Sequence, residues 1–258
     1  MRGGGLSHSV TRRLDPGQRY GFRLTLVGLA IALVAVPFAT LLFQVVDRGP
    51  LTRLDGRLAD RLNDAVHSSS AAVAALEVVS FFGRTVWLTV LVGAAALFLV
   101  RRGRRRLAVF LVVTAMGGGL VNGAVKIAVD RPRPVVDHPV ATAFGKSFPS
   151  GHSMASTVCY GALLVTFLPA VRRRRRKAAV AATAVLVLAI GCSRMLLGVH
   201  FLSDVLGGFV LGLAWLAAAV AAFEIWRMEE GGSHVEPLVE GVEPESGSAL
   251  RGKARRRR

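Results

Sequence analysis

Cysteine and acidic residues are both scarce in this sequence. Its 258 residues include two cysteines, Cys159 and Cys192, and 16 Asp and Glu against 33 Lys and Arg. Two thiols, each inside an apolar stretch, provide neither a disulfide framework nor a cysteine-based metal site. We therefore interpret both cysteines as small buried hydrophobic residues without a chemical role.

Charge is absent altogether from six long stretches, although the whole chain carries a formal net charge of +17. These stretches have no polar stripe with which a helix could face water, and this argues against a soluble globular protein. Each stretch approaches the roughly 20 residues that cross a bilayer as a helix. The six stretches are residues 24–46, 85–100, 107–125, 153–171, 178–193 and 205–223.

The sequence thus predicts an all-α, polytopic membrane protein with six transmembrane helices and three regions. Residues 1–23 form a cytoplasmic basic arm, and residues 24–226 form the six-helix membrane domain. Residues 227–258 are rich in Glu, Gly, Ser and Pro and are predicted to be a disordered cytoplasmic tail.

An outward-facing interfacial helical segment is predicted between the first two crossings. Apolar residues recur there every three or four positions, which is typical of an amphipathic helix lying on the membrane surface. They are Leu51, Leu54, Leu58, Leu62 and Val66. The next stretch, 71–82, is short and contains Glu77, so we expect it to be interfacial or partly inserted rather than a seventh crossing.

Basic residues are divided unequally between the two sides of the membrane. With six crossings, 23 of them fall on the side of the two termini and ten on the other side. The positive-inside rule places the 23 in the cytoplasm, which predicts a plasma-membrane protein with cytoplasmic termini. The arginine runs are only a few residues long and lie between apolar spans, so membrane lipids, and not nucleic acid, are the expected partners. The oligomeric state stays open.

Three polar clusters fall at the outer ends of these helices, where polar groups are costly unless they are paired or functional. Lys126 ends the third helix, and two nearby prolines stop that helix and stiffen the turn that carries Arg133. Ser150 and Gly151 begin the fourth helix, whose N-terminal N–H groups and dipole attract anions. These two clusters favour phosphate binding.

The third cluster contains Arg194, His200 and Asp204. A spacing of four residues on a helix brings the Asp204 carboxylate within reach of the His200 imidazole, which leaves the other ring nitrogen as a nucleophile. His152 has no carboxylate nearby in sequence and suits a general acid. The cations expected to stabilise a transferring phosphoryl group are Lys126, Arg133 and Arg194. Their charge would repel a metal ion, so we expect no metal and no other cofactor.

The remaining polar residues are given minor roles. Those in the same loop as Arg133 are interpreted as tuning substrate entry, namely Asp130, Arg131, His138 and Lys146. The other histidines, His8, His67 and His234, are interpreted as solvated side chains.

At these residues the sequence resembles the type 2 phosphatidic acid phosphatase family, whose signature has three parts. They are Lys-x6-Arg-Pro, Pro-Ser-Gly-His and Ser-Arg-x5-His-x3-Asp, and every position matches, from Lys126 to Asp204. The resemblance implies a six-helix membrane phosphatase that acts on lipid phosphates through a phosphohistidine on His200. It further implies that His152 is the acid, that no metal is needed, and that Ser150 and Gly151 join the phosphate cradle.

Several alternatives stay open. Soluble vanadium haloperoxidases share the signature, but the six apolar stretches argue against them. A lipid phosphotransferase or a non-catalytic membrane adaptor would present the same residues. The substrate is open among phosphatidic acid, phosphatidylglycerol phosphate, diacylglycerol pyrophosphate and polyprenyl pyrophosphate. A ratio of 29 Arg to 4 Lys suggests a GC-rich, bacterial gene, which favours undecaprenyl pyrophosphate.

Overall fold

The computed structural model describes residues 36–47, 49–229 and 235–250, and all regular structure in these ranges is helical. The helices are α1 Val36–Val46, α2 Pro50–Asp64, α3 Ser70–Phe81, α4 Thr85–Arg101, α5 Arg105–Val129, α6 Gly151–Phe167, α7 Arg173–Leu196, α8 Leu202–Glu229, α9 Pro237–Glu240 and α10 Gly247–Leu250. Short 3-10 turns occupy Leu168–Ala170 and Pro244–Ser246. The prediction of an all-α protein is confirmed.

Five segments among the described residues are long and apolar enough to cross a membrane. They are Ser70–Arg101, which joins α3 to α4, Arg105–Val129, Gly151–Ala170, Arg173–Leu196 and Leu202–Glu229. This confirms a multi-pass membrane protein. The predicted first crossing, 24–46, lies mostly outside the described residues, and its described part is the short apolar helix α1.

Helix α6 lies at the centre of the bundle. It packs against α4, α5, α7 and α8. Of the most apolar 18 residues in its span, Gly151–Ala170, 61% are buried, against 22–28% in the other four spans. The small-residue spacing of Gly208 and Gly212 predicts close helix packing, and a Cβ at Gly208 would lie 2.7 Å from the Ser150 carbonyl oxygen. Gly119 and Gly123 have the same spacing, but a Cβ at either position would meet no atom within 4 Å among the described residues.

Helix α2 is amphipathic as predicted, and it packs against the protein along one side. The buried residues recur at every fourth position as Asp55, Ala59 and Asn63, and the helix contacts α7 and α8. Leu54 on the apolar face stays 45% exposed. The other leucines of this face, Leu51, Leu58 and Leu62, are partly buried, whereas the charged residues Arg57 and Asp60 are exposed. The leucine face therefore adjoins the side of the helix that packs against the bundle.

Residues 235–250 differ from the disordered tail predicted for 227–258. Their short helices pack against the turn Leu168–Ala170, and the Val242 amide donates to the Val165 carbonyl at 3.0 Å. Val242 and Leu250 are buried in the main apolar cluster. Burial of these two side chains outweighs the polar composition that suggested disorder.

Candidate active site

The three clusters predicted from sequence converge at one end of the bundle, which we call the site end. The C-terminal ends of α5 and α7 meet the N-terminal ends of α6 and α8 there, around a cavity of about 760 Å³. Six of the eight predicted site residues line this cavity: Lys126, Arg133, Gly151, His152, Arg194 and His200. Asp204 lies behind His200, and Ser150 lies beneath the cavity floor with no exposed surface.

His200 is held between a carboxylate and a guanidinium. Its Nδ1 lies 3.3 Å from Oδ2 of Asp204, and its Nε2 lies 3.1 Å from a terminal nitrogen of Arg133. A guanidinium can only donate, so Nε2 accepts from Arg133 and the ring proton resides on Nδ1, from which it is donated to Asp204. The neutral ring therefore directs its unprotonated nitrogen toward the cations of the cavity.

Burial keeps this ring neutral. His200 is 2% exposed, and burial lowers its pKa to about 4, with Arg133 and Arg194 adding to the decrease and Asp204 opposing it. At neutral pH a histidine with this pKa is neutral and has one unprotonated ring nitrogen, as a nucleophile requires. The electrostatic environment thus favours the form of the ring that a nucleophile requires.

Asp204 is fixed by the start of helix α8. Phe201, which precedes the helix, has no side-chain oxygen to cap it, and Asp204 reaches back so that its Oδ2 accepts from the Phe201 amide at 2.9 Å. An acidic residue at this position also interacts favourably with the helix dipole. The local sequence of α8 therefore aims one carboxylate oxygen at the loop that carries His200.

Arg131 and Asp55 complete this arrangement, and sequence reasoning missed both. Arg131 donates to Oδ1 of Asp204 at 2.7 Å and to Oδ2 of Asp55 at 2.8 Å. The interpretation of Arg131 as a residue that tunes substrate entry is therefore wrong, because its side chain points into the protein behind His200. Arg131 and Arg133 have the same local sequence, because each is followed by a proline. Only the packing of helix α2 against Arg131 distinguishes the two arginines.

Two predicted phosphate-binding cations are occupied by backbone oxygens of the loop that covers the cavity. Lys126 Nζ donates to the Lys146 carbonyl at 2.6 Å, and Arg133 donates to the carbonyls of Gly145 and Phe144 at 3.0 and 3.1 Å. Burial lowers the pKa of Arg133, and Asp204 opposes that decrease. A bound anion would compete with these carbonyls for the same donors.

Arg194 reaches the cavity from α7, close to two further residues that the sequence did not single out. One terminal nitrogen of Arg194 donates to Ser80 Oγ at 2.7 Å, and its buried Nε has no partner among the described residues. Ser80, Arg84 and Glu77 line the same wall of the cavity. Arg84 therefore adds a fourth arginine or lysine near the predicted phosphate position.

The start of α6 contributes His152 and Gly151 to the cavity, whereas Ser150 has a structural position. Ser150 caps α6 by accepting from the Ser153 amide, and its own amide donates to the Asp204 carbonyl at 2.9 Å. The expectation that Ser150 joins the phosphate cradle is thus not matched by its location. The imidazole of His152 has no hydrogen-bond partner within the described ranges, which leaves both ring nitrogens available to a ligand.

An apolar groove adjoins the polar cavity at Gly151. The groove has a volume of about 540 Å³ and lies between α4, α5 and α6. Its walls are almost entirely apolar, with Leu88, Val92, Val112 and Met116 among the lining residues. Gly151 lines both spaces, so a molecule with a polar head and an apolar chain has room for both parts.

Of the remaining loop residues, Lys146 lines the cavity, whereas Asp130 and His138 do not. His138 stacks on His67 with ring centroids 4.3 Å apart, and Lys146 pairs with Asp130. His8 and His234 lie outside the described residues. Across the described ranges, no group of three or more His, Cys, Asp or Glu side chains is arranged to hold a metal ion.

The match to a family of known proteins agrees with this geometry. Residues 106–227 match the sequence model of the PAP2 superfamily, and this segment contains the whole three-part signature. Over these residues, slightly less than half of the chain, the sequence is similar to the PAP2 superfamily, in agreement with the signature.

One relative and one solved structure, both from Bacillus subtilis, extend the comparison. Phosphatidylglycerophosphatase B of strain 168 is 41% identical over 97 residues, which cover 36% of this chain and 47% of the relative. The match thus spans about half the length of that protein. A crystal structure of a transmembrane PAP2-type phosphatidylglycerolphosphate phosphatase has a TM-score of 0.66 at 24% identity, covering 80% of this chain and 98% of that chain. This likeness shows that the fold is shared.

Proposed function

We propose that this chain is an integral membrane phosphatase that hydrolyses lipid phosphate or pyrophosphate monoesters through a phosphohistidine intermediate. The observation that carries the proposal is the orientation of His200. Its unprotonated Nε2 faces a cavity that Lys126, Arg133 and Arg194 also line. A neutral imidazole beside several cations is suited to attack on a phosphate group.

The reaction proceeds in two balanced steps. His200 Nε2 attacks phosphorus, the bond from phosphorus to the lipid oxygen breaks, and His152 gives that oxygen a proton. Water then attacks the phosphohistidine, His152 takes the proton from the water, and the bond between phosphorus and nitrogen breaks to release inorganic phosphate. Asp204 stabilises the positive charge that develops on the His200 ring during the first step.

Substrate binding has to release the Nε2 lone pair first. In the structure Arg133 donates both to Nε2 and to the covering loop. A phosphate dianion accepts from a guanidinium more strongly than neutral acceptors do, so it would draw Arg133 and Lys126 away from these partners. Binding of the substrate phosphate would therefore also free the Nε2 lone pair for attack.

The apolar groove favours a lipid as the substrate. A phosphate held beside His200 lies next to Gly151, where the polar cavity meets the groove, so an acyl or prenyl chain has an apolar place to lie. Phosphatidylglycerol phosphate is our first candidate, because the two Bacillus relatives carry that activity in their names. Undecaprenyl pyrophosphate is the second candidate, because the excess of Arg over Lys suggests a bacterial gene.

The test measures phosphate release by purified protein in detergent from a panel of lipids. It contains phosphatidylglycerol phosphate, phosphatidic acid, diacylglycerol pyrophosphate and undecaprenyl pyrophosphate. We expect turnover that survives excess chelator and is inhibited by vanadate, which mimics the five-coordinate transition state. Loss of activity in chelator and its return with magnesium would contradict a metal-independent site. Product identification separates hydrolysis from transfer to another acceptor, and no turnover on any lipid would favour the adaptor.

We also propose that the site faces the outside of the plasma membrane, with both termini in the cytoplasm. The basic segments 101–106 and 172–177 lie at helix ends opposite the site, and the positive-inside rule assigns them to the cytoplasm. Cysteines introduced at positions 138 and 146 should react with an impermeant thiol reagent added to intact cells, whereas cysteines at 103 and 174 should react only after lysis. Labelling of position 174 in intact cells would reverse the orientation.

A further inference from the structure

Asp55 of helix α2 lies 145 residues before His200 in sequence but reaches the same cluster of charges. Its carboxylate has no exposed surface. Its Oδ1 accepts from the Ser203 amide at 3.0 Å, and its Oδ2 accepts from Arg131 at 2.8 Å and from the Ser203 hydroxyl. A buried carboxylate without a metal needs such partners. Both partner residues adjoin Asp204, since Arg131 binds its carboxylate and Ser203 precedes it in the chain.

Arg131 joins the two carboxylates. One terminal nitrogen donates to Oδ1 of Asp204 at 2.7 Å and to Ser203 Oγ at 2.6 Å, and the other donates to Asp55. The guanidinium carbon also lies 4.2 Å from the ring centre of Phe201, so its plane is held from a second direction. Arg131 is therefore shared between Asp55 and Asp204.

This sharing decides which oxygen of Asp204 serves His200. Arg131 occupies Oδ1, and Oδ2 is left to His200 Nδ1 and to the Phe201 amide. An arginine beside one free carboxylate prefers a fork in which both terminal nitrogens bind both oxygens. Asp55 holds one of these nitrogens and so prevents that fork from forming on Asp204.

We propose that Asp55 is a positioning residue for His200 that acts through Arg131 and Asp204. This inference rests on the proposed function, because it assigns His200 as the nucleophile. Without the Asp55 charge, Arg131 turns fully onto Asp204 and competes with His200 for Oδ2. The Nδ1 proton then loses its fixed acceptor, and the Nε2 lone pair is no longer held toward the phosphate.

A purely structural role is the competing explanation, since Asp55 also binds the amide of Ser203 in the first turn of α8. The variant Asp55→Asn separates the two roles, because the amide oxygen of Asn still accepts from Ser203 while the charge that holds Arg131 is gone. Asp60→Asn is the matched control, since Asp60 is an exposed acid on the same helix. The thermal midpoint of each variant reports folding.

The kinetic experiment is a double-mutant cycle with Asp204→Asn, run with enzyme in excess where turnover is slow. We expect Asp55→Asn to lower kcat about 10- to 100-fold, the range seen for residues that orient a functional histidine from a distance. The inhibition constant of inorganic phosphate should stay unchanged, because the three cations are intact. In the Asp204→Asn background the same change should have no further effect on kcat. Asp60→Asn should match the wild type.

A spectroscopic readout keeps the test independent of turnover. The ¹⁵N shifts of the His200 ring, assigned with His200→Gln, should report the Nδ1-protonated form in the wild type and a mixture of tautomers in Asp55→Asn. An unchanged tautomer, an unchanged kcat, or an equal loss of kcat in both backgrounds would overturn the inference. A wild type that releases no phosphate from any lipid would instead contradict the proposed function, and the tautomer would still decide the inference.

Discussion

The two ends of the helix bundle use charged residues in opposite ways. At the site end, Arg131 is paired with Asp55 and Asp204, and the side chains are 10%, 0% and 0% exposed. At the other end, which we call the basic end, Arg104 pairs with Glu243 at 30% and 16% exposure. Burial of charge is costly even when the charges are paired, so the arrangement at the site end has to be explained by geometry rather than by stability.

At the basic end, arginines hold the C-terminal segment of the chain against the helix bundle. Arg102 donates to the Ala249 carbonyl and Arg176 to the Val239 carbonyl, so both hold the C-terminal segment 235–250 against the bundle. These contacts are exposed and each involves a single donor. The comparison predicts large effects from changes at the site end and small effects from matched changes at the basic end.

The largest effect is expected from His200→Ala, with His200→Gln as a version that better preserves volume. Removal of the nucleophile should lower kcat on a lipid phosphate by at least about 10³-fold, since the groups of a covalent site act as a unit. Phosphate release and the thermal midpoint are measured together. A folded variant with near wild-type turnover would overturn the proposed mechanism.

His152→Ala should have an effect that depends on the leaving group. A lipid alkoxide needs a proton to leave, so kcat should fall about 10²- to 10⁴-fold on a lipid phosphate. An aryl phosphate leaves without that help, so the loss there should be much smaller. The two substrates are compared on one preparation, and equal losses would remove the assignment of His152 as general acid.

Arg131→Gln and Arg104→Gln test the comparison of the two ends directly. The first leaves two buried carboxylates without their cation and should lower the free energy of unfolding by about 3–5 kcal/mol. The second breaks a pair that is only partly buried and should change the free energy of unfolding by about 1 kcal/mol. Thermal and denaturant unfolding in detergent provide the measurement. Similar losses for the two variants would mean that the ends do not differ in this way.

The last effect expected is a dependence of stability on pH that His200 causes. Its pKa is about 4 in the folded protein and 6.5 ordinarily, so between these values the unfolded chain binds a proton that the folded chain does not. The free energy of unfolding should therefore decrease as the pH falls from about 6.5 to about 4, by roughly 3 kcal/mol in all. Thermal midpoints of the wild type and His200→Gln are compared across this range. An equally steep decrease in the variant would show that other groups cause it.

Local patterns in the sequence were enough to pick out six residues that the fold brings together around one cavity. The spacing of His200 and Asp204, the helix start before His152, and the turn that carries Arg133 each depend on residues within a few positions of one another. The helix geometry that follows from such spacings is the same in any protein. The convergence of the three clusters on one cavity required the alternation of membrane crossings as well, and that too was readable from the apolar stretches.

Three features depended on contacts between distant segments and escaped sequence reasoning. The packing of α2 selects Arg131 for the interior, where it meets Asp55 across 76 positions of sequence. Ser150 is withdrawn from the cavity because the close approach of α8 directs its amide to Asp204. The segment 235–250 docks because Val242 finds an apolar cluster formed by other helices.

The sequence by itself determined that this chain is a helical membrane protein and that it carries the three-part signature, because apolar length and short-range spacing act within single helices. Tertiary structure decided which polar residues hold the histidine and which only cap or anchor a helix. That decision rests on burial, since a charge in the interior has to find its partners wherever the fold places them. Asp55 and Arg131 meet those requirements at the site end, and no local pattern marks either residue.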